Sequence, residues 1–155
     1  MKYLFLFFVL CITILKLSEG CLEKKCECQP FTDLIQDIDT NTSLYMSYTK
    51  GAGCVSTVFC KNGSILTLGS FFDNSDLEKP VENAVEAFIM YPPNDVKYDE
   101  FEAFSQFGII CQNGMWHTTK YPKVAYLVDG IVHDFPLPFS QYDGKKTGIR
   151  KFAWV

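Results

Sequence analysis

The hydrophobic positions of this chain form one continuous run followed by many short segments. The run covers residues 3–15, follows Lys2, and precedes Ser18-Glu19-Gly20. A basic residue, a short apolar stretch and small residues three and one before a cleavage point are typical of a secretory signal peptide. The pattern therefore predicts that residues 1–20 are removed after Gly20 and that residues 21–155 form the mature chain.

The same run is too short for a permanent membrane anchor. A transmembrane helix needs roughly 18 to 20 predominantly apolar residues, and the chain has no second run of this kind. Residues 148–155 also lack the long hydrophobic tail that a lipid-anchor signal requires. We therefore expect a secreted, extracellular protein without a permanent membrane anchor.

Beyond residue 20, segments rich in β-branched and aromatic residues surround four Asx-Gly dipeptides. These dipeptides are Asn62-Gly63, Asn113-Gly114, Asp129-Gly130 and Asp143-Gly144. Such dipeptides favour tight turns with positive φ, which allow two right-twisted strands to pair directly. Around the first three, the sequence predicts hairpins that join residues 55–60 to 64–68, 107–111 to 115–119, and 124–128 to 131–135. After the fourth, we expect a strand only from residue 147 onwards.

Residues 75–107 fit a helix as well as a strand. Ser75 and Glu78 have capping-box spacing, and apolar residues recur about every four positions from Leu77 to Phe88. The alternative is a strand over residues 83–91, and we favour this strand for the C-terminal half of that segment.

An aromatic stripe follows in the same region, with one aromatic residue at every third position. Its members are Tyr98, Phe101, Phe104 and Phe107. The spacing predicts a short helix or an irregular aromatic flap. We expect these rings to belong to the core rather than to an exposed shelf for a ligand.

Six of the seven cysteines lie outside the predicted signal peptide. They are Cys21, Cys26, Cys28, Cys54, Cys60 and Cys111. An even number of cysteines in a secreted chain predicts a disulfide framework, whereas zinc would need Cys-x-x-Cys pairs or Cys/His pairs that this sequence lacks. We therefore expect three disulfides, no free thiol and no metal site.

Steric limits remove some of the 15 pairings that six cysteines allow. Cys26 and Cys28 are too close in sequence to bond comfortably. If residues 54–60 form one extended strand, Cys54 and Cys60 lie ~20 Å apart, far beyond the reach of a disulfide. Ten pairings remain open. Because three cysteines lie near the N-terminus and three in the body of the chain, at least one bond must join the two groups.

Composition limits the size and the partners of the protein. With 48% hydrophobic and 21% charged residues, a chain of 155 residues can form one folded domain. A net charge of −4 argues against nucleic acid, because binding to a phosphate backbone needs clustered Lys and Arg.

Motifs for catalysis, metals and cofactors are missing from the sequence. His117 and His133 are isolated, and the chain has no His-Glu-x-x-His motif, no Gly-x-Ser-x-Gly elbow and no phosphate-binding glycine loop. Residues 37–41 imitate the start of a calcium loop, but Thr42 and Tyr48 stand where the loop needs Gly and a bidentate Glu. We therefore expect no catalytic residue, no metal and no cofactor.

Two glycosylation acceptors occur, Asn41-Thr42-Ser43 and Asn62-Gly63-Ser64. We expect a glycan on Asn41 or Asn62, and Asn62 lies at a predicted hairpin tip where a sugar would project into water.

The cysteine spacings resemble a known family. The order Cys26-Glu27-Cys28, then Gly53-Cys54 with Cys60, then Cys111 with Asn113-Gly114-Met115-Trp116 is similar to the secreted six-cysteine domain family expanded in nematodes, over about residues 26–121. The resemblance implies a crosslinked extracellular domain of uncharacterised function. Residues 26–30 also resemble, more faintly, netrin-like inhibitor modules.

These patterns predict one disulfide-crosslinked, mainly β domain. We expect an antiparallel β-sandwich with at most one or two short helices, because several short strands must each bury one face. The expected function is a secreted recognition or structural module without catalytic activity, whose partner is an extracellular protein or glycan. The alternatives are a secreted protease inhibitor with a disulfide-braced loop at residues 26–30, and a secreted hydrolase of unrecognised type.

Overall fold

The computed structural model describes residues 25–36, 46–60, 66–91 and 101–154. The predicted signal peptide, the imitation of a calcium loop at residues 37–41 and both glycosylation acceptors, Asn41 and Asn62, lie outside these ranges. The signal peptide, the glycans and the absence of a calcium loop stay predictions. Within the described residues, no helix has the length and apolar character needed to cross a membrane.

Ten strands and one short α-helix occur in the described part of the chain. The strands are β1 (Met46–Lys50), β2 (Ser56–Cys60), β3 (Leu66–Phe71), β4 (Glu86–Met90), β5 (Ile110–Gln112), β6 (Met115–Thr118), β7 (Lys123–Val128), β8 (Ile131–Asp134), β9 (Thr147–Gly148) and β10 (Lys151–Trp154). The helix α1 is Ala103–Phe107, and 3-10 turns occur at Phe31–Leu34, Phe72–Asn74 and Phe139–Tyr142.

The strands pair antiparallel in three sheets. The largest sheet has the order β10-β3-β4-β7-β8, the second has the order β5-β6-β9, and β1 pairs with β2. The prediction of a mainly β, antiparallel and disulfide-crosslinked fold is confirmed, and the described residues contain one short α-helix, within the one or two that were expected.

Two of the predicted hairpins are present. Asn113-Gly114 connects β5 to β6, and Asp129-Gly130 connects β7 to β8. All four turn residues have positive φ, with values of 53°, 74°, 49° and 80° in chain order. This is the local geometry that Asx-Gly dipeptides favour, so the sequence was sufficient to locate these turns.

The predicted pairing of residues 55–60 with 64–68 is wrong, although both segments contain strands. Strand β2 pairs with β1, and β3 lies between β10 and β4. The sequence analysis did not recognise β1 as a strand. The turn between β1 and β2 is held by the N–H of Gly51, which donates to the carbonyl of Val55 at 2.9 Å. Strands β1 and β2 are thus connected by a short local turn. The backbone N–H and C=O groups of β2 find their hydrogen-bond partners in β1.

The strand expected from residue 147 onwards divides between two sheets. Strand β9 pairs with β6, and β10 pairs with β3. Between them, the N–H of Ile149 donates to the Trp116 carbonyl at 2.8 Å, and the N–H of Arg150 donates to the Gly69 carbonyl at 2.9 Å. The chain therefore crosses from the smaller sheet to the larger one while its backbone groups remain paired.

Residues 75–107, which fitted either a helix or a strand, contain the strand β4 followed along the chain by the helix α1. Residues 75–85 do not form the helix that the capping-box spacing at Ser75 offered as one alternative. The Ser75 hydroxyl accepts a hydrogen bond from the N–H of Leu77 at 3.0 Å, as an N-cap does, and lies 2.7 Å from Thr147 Oγ1. The favoured strand is present as β4.

Helix α1 contains the end of the aromatic stripe. The Glu102 carboxylate accepts hydrogen bonds from the N–H groups of Phe104 and Ser105, which caps the first turn. Phe101 is 3% exposed and Phe107 is fully buried. These two rings belong to the core, as expected, while Tyr98 lies outside the described residues.

Side chains from all three sheets meet in a single hydrophobic core. Phe31, from the N-terminal 3-10 turn, is fully buried near its centre. Its ring centroid lies 4.8 Å from that of Phe104, 5.5 Å from Trp116 and 5.1 Å from Phe152. The N-terminal segment is therefore part of the core rather than an appendage, and it joins β6 of the smaller sheet to β10 of the larger one.

Tyr121 is a buried tyrosine whose hydroxyl lies 2.7 Å from Thr147 Oγ1. Burial raises the pKa of Tyr121 from 10.0 to about 12, and the carboxylates of Asp76 and Asp143 act in the same direction, while the hydrogen bond to Thr147 opposes them. The unfolded chain therefore loses this proton first as pH rises. The contribution of Tyr121 to stability is fully present below pH 10 and is lost as pH rises to about 12.

We predict that the free energy of unfolding falls between these two pH values by roughly 2–3 kcal/mol because of Tyr121 alone. The measurement is urea unfolding of the natural chain beside Tyr121→Phe, so that the difference between the two pH profiles reports on Tyr121. The variant should be less stable at neutral pH and should lose less stability at alkaline pH. Parallel pH profiles of the two proteins would contradict the prediction.

Candidate functional site

Two disulfides attach the N-terminal segment to the body of the protein. Cys26 bonds to Cys54 in the turn between β1 and β2, over a sequence separation of 28, and Cys28 bonds to Cys111 in β5, over a separation of 83. Both bonds join the N-terminal group of cysteines to the body group, as the steric argument required of at least one.

The two disulfides lie against each other. Cys26 Sγ is 3.8 Å from Cys111 Sγ, and Cys54 Sγ lies within 4.8 Å of both. Both sulfur atoms of the closest pair are already in disulfides and carry no proton, so this is a sulfur–sulfur contact and not a hydrogen bond. The spacing would suit a shared metal ion, but zinc binds thiolates, and a disulfide sulfur has no such charge.

The third predicted disulfide lies outside the described residues, because these exclude Cys21 and the side chain of Cys60. The backbone of Cys60 pairs with Met46 at the end of the β1-β2 hairpin. If the six cysteines all form disulfides, the two observed bonds leave Cys21 and Cys60 as the remaining pair. We therefore expect a bond between Cys21 and Cys60.

A small cavity of about 170 Å³ lies beside the two disulfides. Tyr48 and Trp116 form part of its wall, and the exposed lysines Lys25 and Lys50 lie at its edge. The Trp116 indole N–H donates to the Gln29 carbonyl at 2.8 Å. This hydrogen bond holds the segment that contains Cys26 and Cys28 against β6.

A larger polar cleft of about 400 Å³ lies where the chain passes between the two larger sheets. We define the polar cleft by its lining residues, which are Asp73, Asn74, Ser75, Asp76, Gln112, Asn113, Met115, His117 and Lys146. They come from the segment after β3, from the β5-β6 hairpin and from the residue before β9. Three segments that are distant in sequence therefore form one concave surface.

Backbone hydrogen bonds hold the walls of the polar cleft in place. The N–H of Asp76 donates to the Lys146 carbonyl at 2.8 Å, and the N–H of Lys146 donates to the Asp76 carboxylate at 2.9 Å. Nearby, the hydroxyls of Ser75 and Thr147 are 2.7 Å apart. These contacts fix residues 75–76 against the start of β9.

Several polar side chains of the cleft are available to a ligand. The side chains of Asp73, Gln112 and Asn113 make no hydrogen bond or ion pair within the part of the chain that the structure describes. They combine a carboxylate acceptor with two amides that both donate and accept. Met115 adds an exposed thioether at 36% exposure, so the cleft offers one apolar contact among its polar groups.

The structure does not assemble a catalytic pair around either histidine in its described residues. His117 lines the polar cleft, but its Nδ1 lies 3.1 Å from the Met115 carbonyl, and no ion pair joins it to a carboxylate. His133 stacks on Tyr126 with the ring centroids 5.4 Å apart. Asp134 pairs instead with Lys123 at 3.3 Å.

Neither the cleft nor the cavity was found from the sequence. Asp73, Gln112 and Lys146 belong to no motif, and their separation along the chain hides their proximity. The Asn113-Gly114 turn was the one signal that pointed to this surface, because a hairpin tip exposes its side chains. Of the predicted site residues, the structure brings together Cys26, Cys28, Cys54 and Cys111.

Fold and sites together define a disulfide-crosslinked, mainly β protein with a rigid polar cleft. The chain belongs to the family described as TRA-1 regulated protein R03H10.4, a nematode family of uncharacterised function, whose family model matches residues 24–154. No curated protein and no solved structure matches the chain significantly. The matched region contains both disulfides and every residue of the polar cleft.

Proposed function

We propose that this protein is a secreted, non-catalytic recognition module that binds an extracellular glycan in the polar cleft. The observation that carries the proposal is the cleft itself, in which Asp73, Gln112 and Asn113 lack partners among the described residues while the backbone around them is fixed. Small-ligand sites are concave and contain a few convergent polar groups that fix the orientation of the ligand.

Secretion is supported by two independent features. Residues 1–20 have the pattern of a signal peptide. The disulfides Cys26–Cys54 and Cys28–Cys111 are of the kind that persists in oxidising compartments and is rare in the cytosol.

The lining of the cleft favours a hydroxyl-rich, neutral ligand. A sugar hydroxyl both donates and accepts, which matches a surface that presents the Asp73 carboxylate, the amides of Gln112 and Asn113 and the Lys146 ammonium. A volume of about 400 Å³ falls in the usual range for small-ligand sites. The opposite charges of the acidic residues and Lys146 argue against a strongly charged ligand.

The rigidity of the cleft reduces the entropy that binding would cost. Residues 75–76 are held by the hydrogen bonds to Lys146 and Thr147, and Gln112 and Asn113 lie in a tight hairpin. A surface that is already ordered loses little conformational freedom when a ligand binds.

Binding of the secreted full-length protein to an array of extracellular glycans tests this proposal. For a glycan that binds, Asp73→Ala and Gln112→Ala should each weaken binding roughly tenfold or more, because a hydrogen bond to a charged or buried polar group contributes about 1–3 kcal/mol. Asp33→Ala and Gln106→Ala replace the same residue types at exposed positions outside the cleft and should leave binding unchanged. The proposal fails if no glycan binds, or if the cleft variants bind as well as the controls.

A second candidate function is inhibition of an extracellular protease by the braced segment at residues 26–30. The two disulfides fix Cys26 and Cys28, while Glu27, Gln29 and Pro30 are exposed. A loop that is rigid before binding suits an inhibitor. Incubation of the secreted protein with a panel of extracellular proteases tests it, and the candidate is removed if no protease is slowed.

A further inference from the structure

The contact between the two disulfides places Cys26, which becomes a thiolate if its own bond opens, beside Cys111 of the other bond. If the Cys26–Cys54 bond opens at Cys54, the sulfur of Cys26 becomes a thiolate that already lies 3.8 Å from Cys111 Sγ. Disulfides rearrange when a thiolate attacks one sulfur of a bond and the other sulfur leaves. The attacking and accepting atoms are thus in contact before any movement of the backbone.

The first bond is open to an external thiol. Cys26 and Cys54 are only half-buried, and both line the small cavity beside Lys25 and Lys50. Cys28 is 8% exposed, so the second bond is protected on the Cys28 side, while Cys111 is half-buried like Cys26 and Cys54.

We propose that an external thiol catalyses an exchange of partners between these bonds, from Cys26–Cys54 and Cys28–Cys111 to Cys26–Cys111 and Cys28–Cys54. The external thiolate bonds to Cys54 Sγ, and the electron pair of the broken bond goes to Cys26. The Cys26 thiolate then bonds to Cys111 Sγ and releases Cys28 as a thiolate. Cys28 finally bonds to Cys54 Sγ and expels the external thiolate, so that nothing is oxidised or reduced overall.

The exchange acts as a switch for the N-terminal segment. Cys26 and Cys28 trade partners, so the segment between them must reverse its direction across Cys54 and Cys111, since sliding the segment along the body could satisfy only one of the two new bonds. The Gln29 carbonyl, which accepts the hydrogen bond from Trp116, belongs to the same segment. Residues of this segment also line the small cavity. The surface at residues 25–30 therefore changes, while the polar cleft, which shares no residue with this segment, does not.

Peptide mapping of the secreted full-length protein tests the switch. The oxidised protein is incubated with millimolar reduced glutathione in a glutathione buffer, free thiols are alkylated, and the chain is cut by trypsin, by Glu-C after Glu27 and by chymotrypsin after Phe59. These cuts separate Cys26 from Cys28 and Cys54 from Cys60. We expect bridged peptides that contain Cys26 with Cys111 and Cys28 with Cys54, formed in equal amounts and at a rate proportional to the thiol concentration.

The result that would overturn the switch is a set of peptides in which only the original bonds, glutathione adducts or fully reduced cysteines occur. The matched variant carries Cys28→Ser with Cys111→Ser, which removes the second target. In this variant glutathione should be found on Cys54 and the alkylated thiol on Cys26, because the first bond opens at Cys54 and Cys26 has no second target. Glutathione on Cys26 instead of Cys54 would also overturn the proposal, and the mapping of the natural chain decides if the variant does not fold.

Discussion

Replacing Phe31 with alanine is expected to lower the free energy of unfolding by about 3–5 kcal/mol, the range typical of large-to-small changes at a buried aromatic ring. Phe31 is fully buried and contacts the rings of Phe104, Trp116 and Phe152, which belong to α1, β6 and β10. Its removal leaves a cavity where three elements meet. The surrounding rings are held by different elements, so they cannot collapse fully into the space.

The matched control for this substitution is Phe59→Ala. Phe59 is 37% exposed, so its replacement should cost roughly 1–2 kcal/mol, less than at Phe31, because only part of its apolar area is buried and no enclosed cavity is left. Urea unfolding followed by tryptophan fluorescence measures both variants, and the two tryptophans of the chain are Trp116, which contacts the Phe31 ring, and Trp154. Equal losses at the two positions would show that the N-terminal turn is not part of the core.

The second large effect is expected from removing the disulfide between Cys28 and Cys111. The double substitution Cys28→Ser with Cys111→Ser should cost about 2–5 kcal/mol, because the bond restricts the unfolded chain and closes a long loop. The sequence separation of these cysteines is 83. Replacing both partners avoids a free thiol that could form a wrong bond.

The control removes the disulfide that closes the shorter loop, by the double substitution Cys26→Ser with Cys54→Ser. These cysteines are separated by 28 residues, and the chain-entropy model gives a smaller loss for this bond by about 1 kcal/mol. Unfolding in urea without reductant compares the two double variants with the natural chain. A larger loss for the shorter loop would contradict the loop argument and would indicate that local packing around Cys54 dominates.

The sequence predicted the parts of the fold that depend on neighbouring residues. Asn113-Gly114 and Asp129-Gly130 produce their hairpins because the positive φ values that the turns need are a local property. Strand β4 was also favoured correctly. In contrast, the capping-box spacing at Ser75 does not begin a helix, and the Ser75 hydroxyl contacts Thr147, a residue distant in sequence.

Strand pairing and the polar cleft depend on contacts between distant residues, which no local pattern reveals. Strand β2 was assigned to β3, whereas the structure pairs it with the unrecognised β1. The cleft arises because the chain returns after Gly144 and places Lys146 against Asp76. Likewise, sterics left ten disulfide pairings open, and only the folded chain brings Cys28 to Cys111.

Non-reducing peptide mapping of protein collected from the medium of expressing cells, with thiols blocked at harvest, tests most directly whether this is a secreted, fully crosslinked module. We predict a mature chain that begins at Cys21, with the bonds Cys26–Cys54 and Cys28–Cys111 or their exchanged partners, and with Cys21 bonded to Cys60. An alkylated thiol at any of these six cysteines, or retention of the chain inside the cells with its N-terminal segment intact, would contradict it.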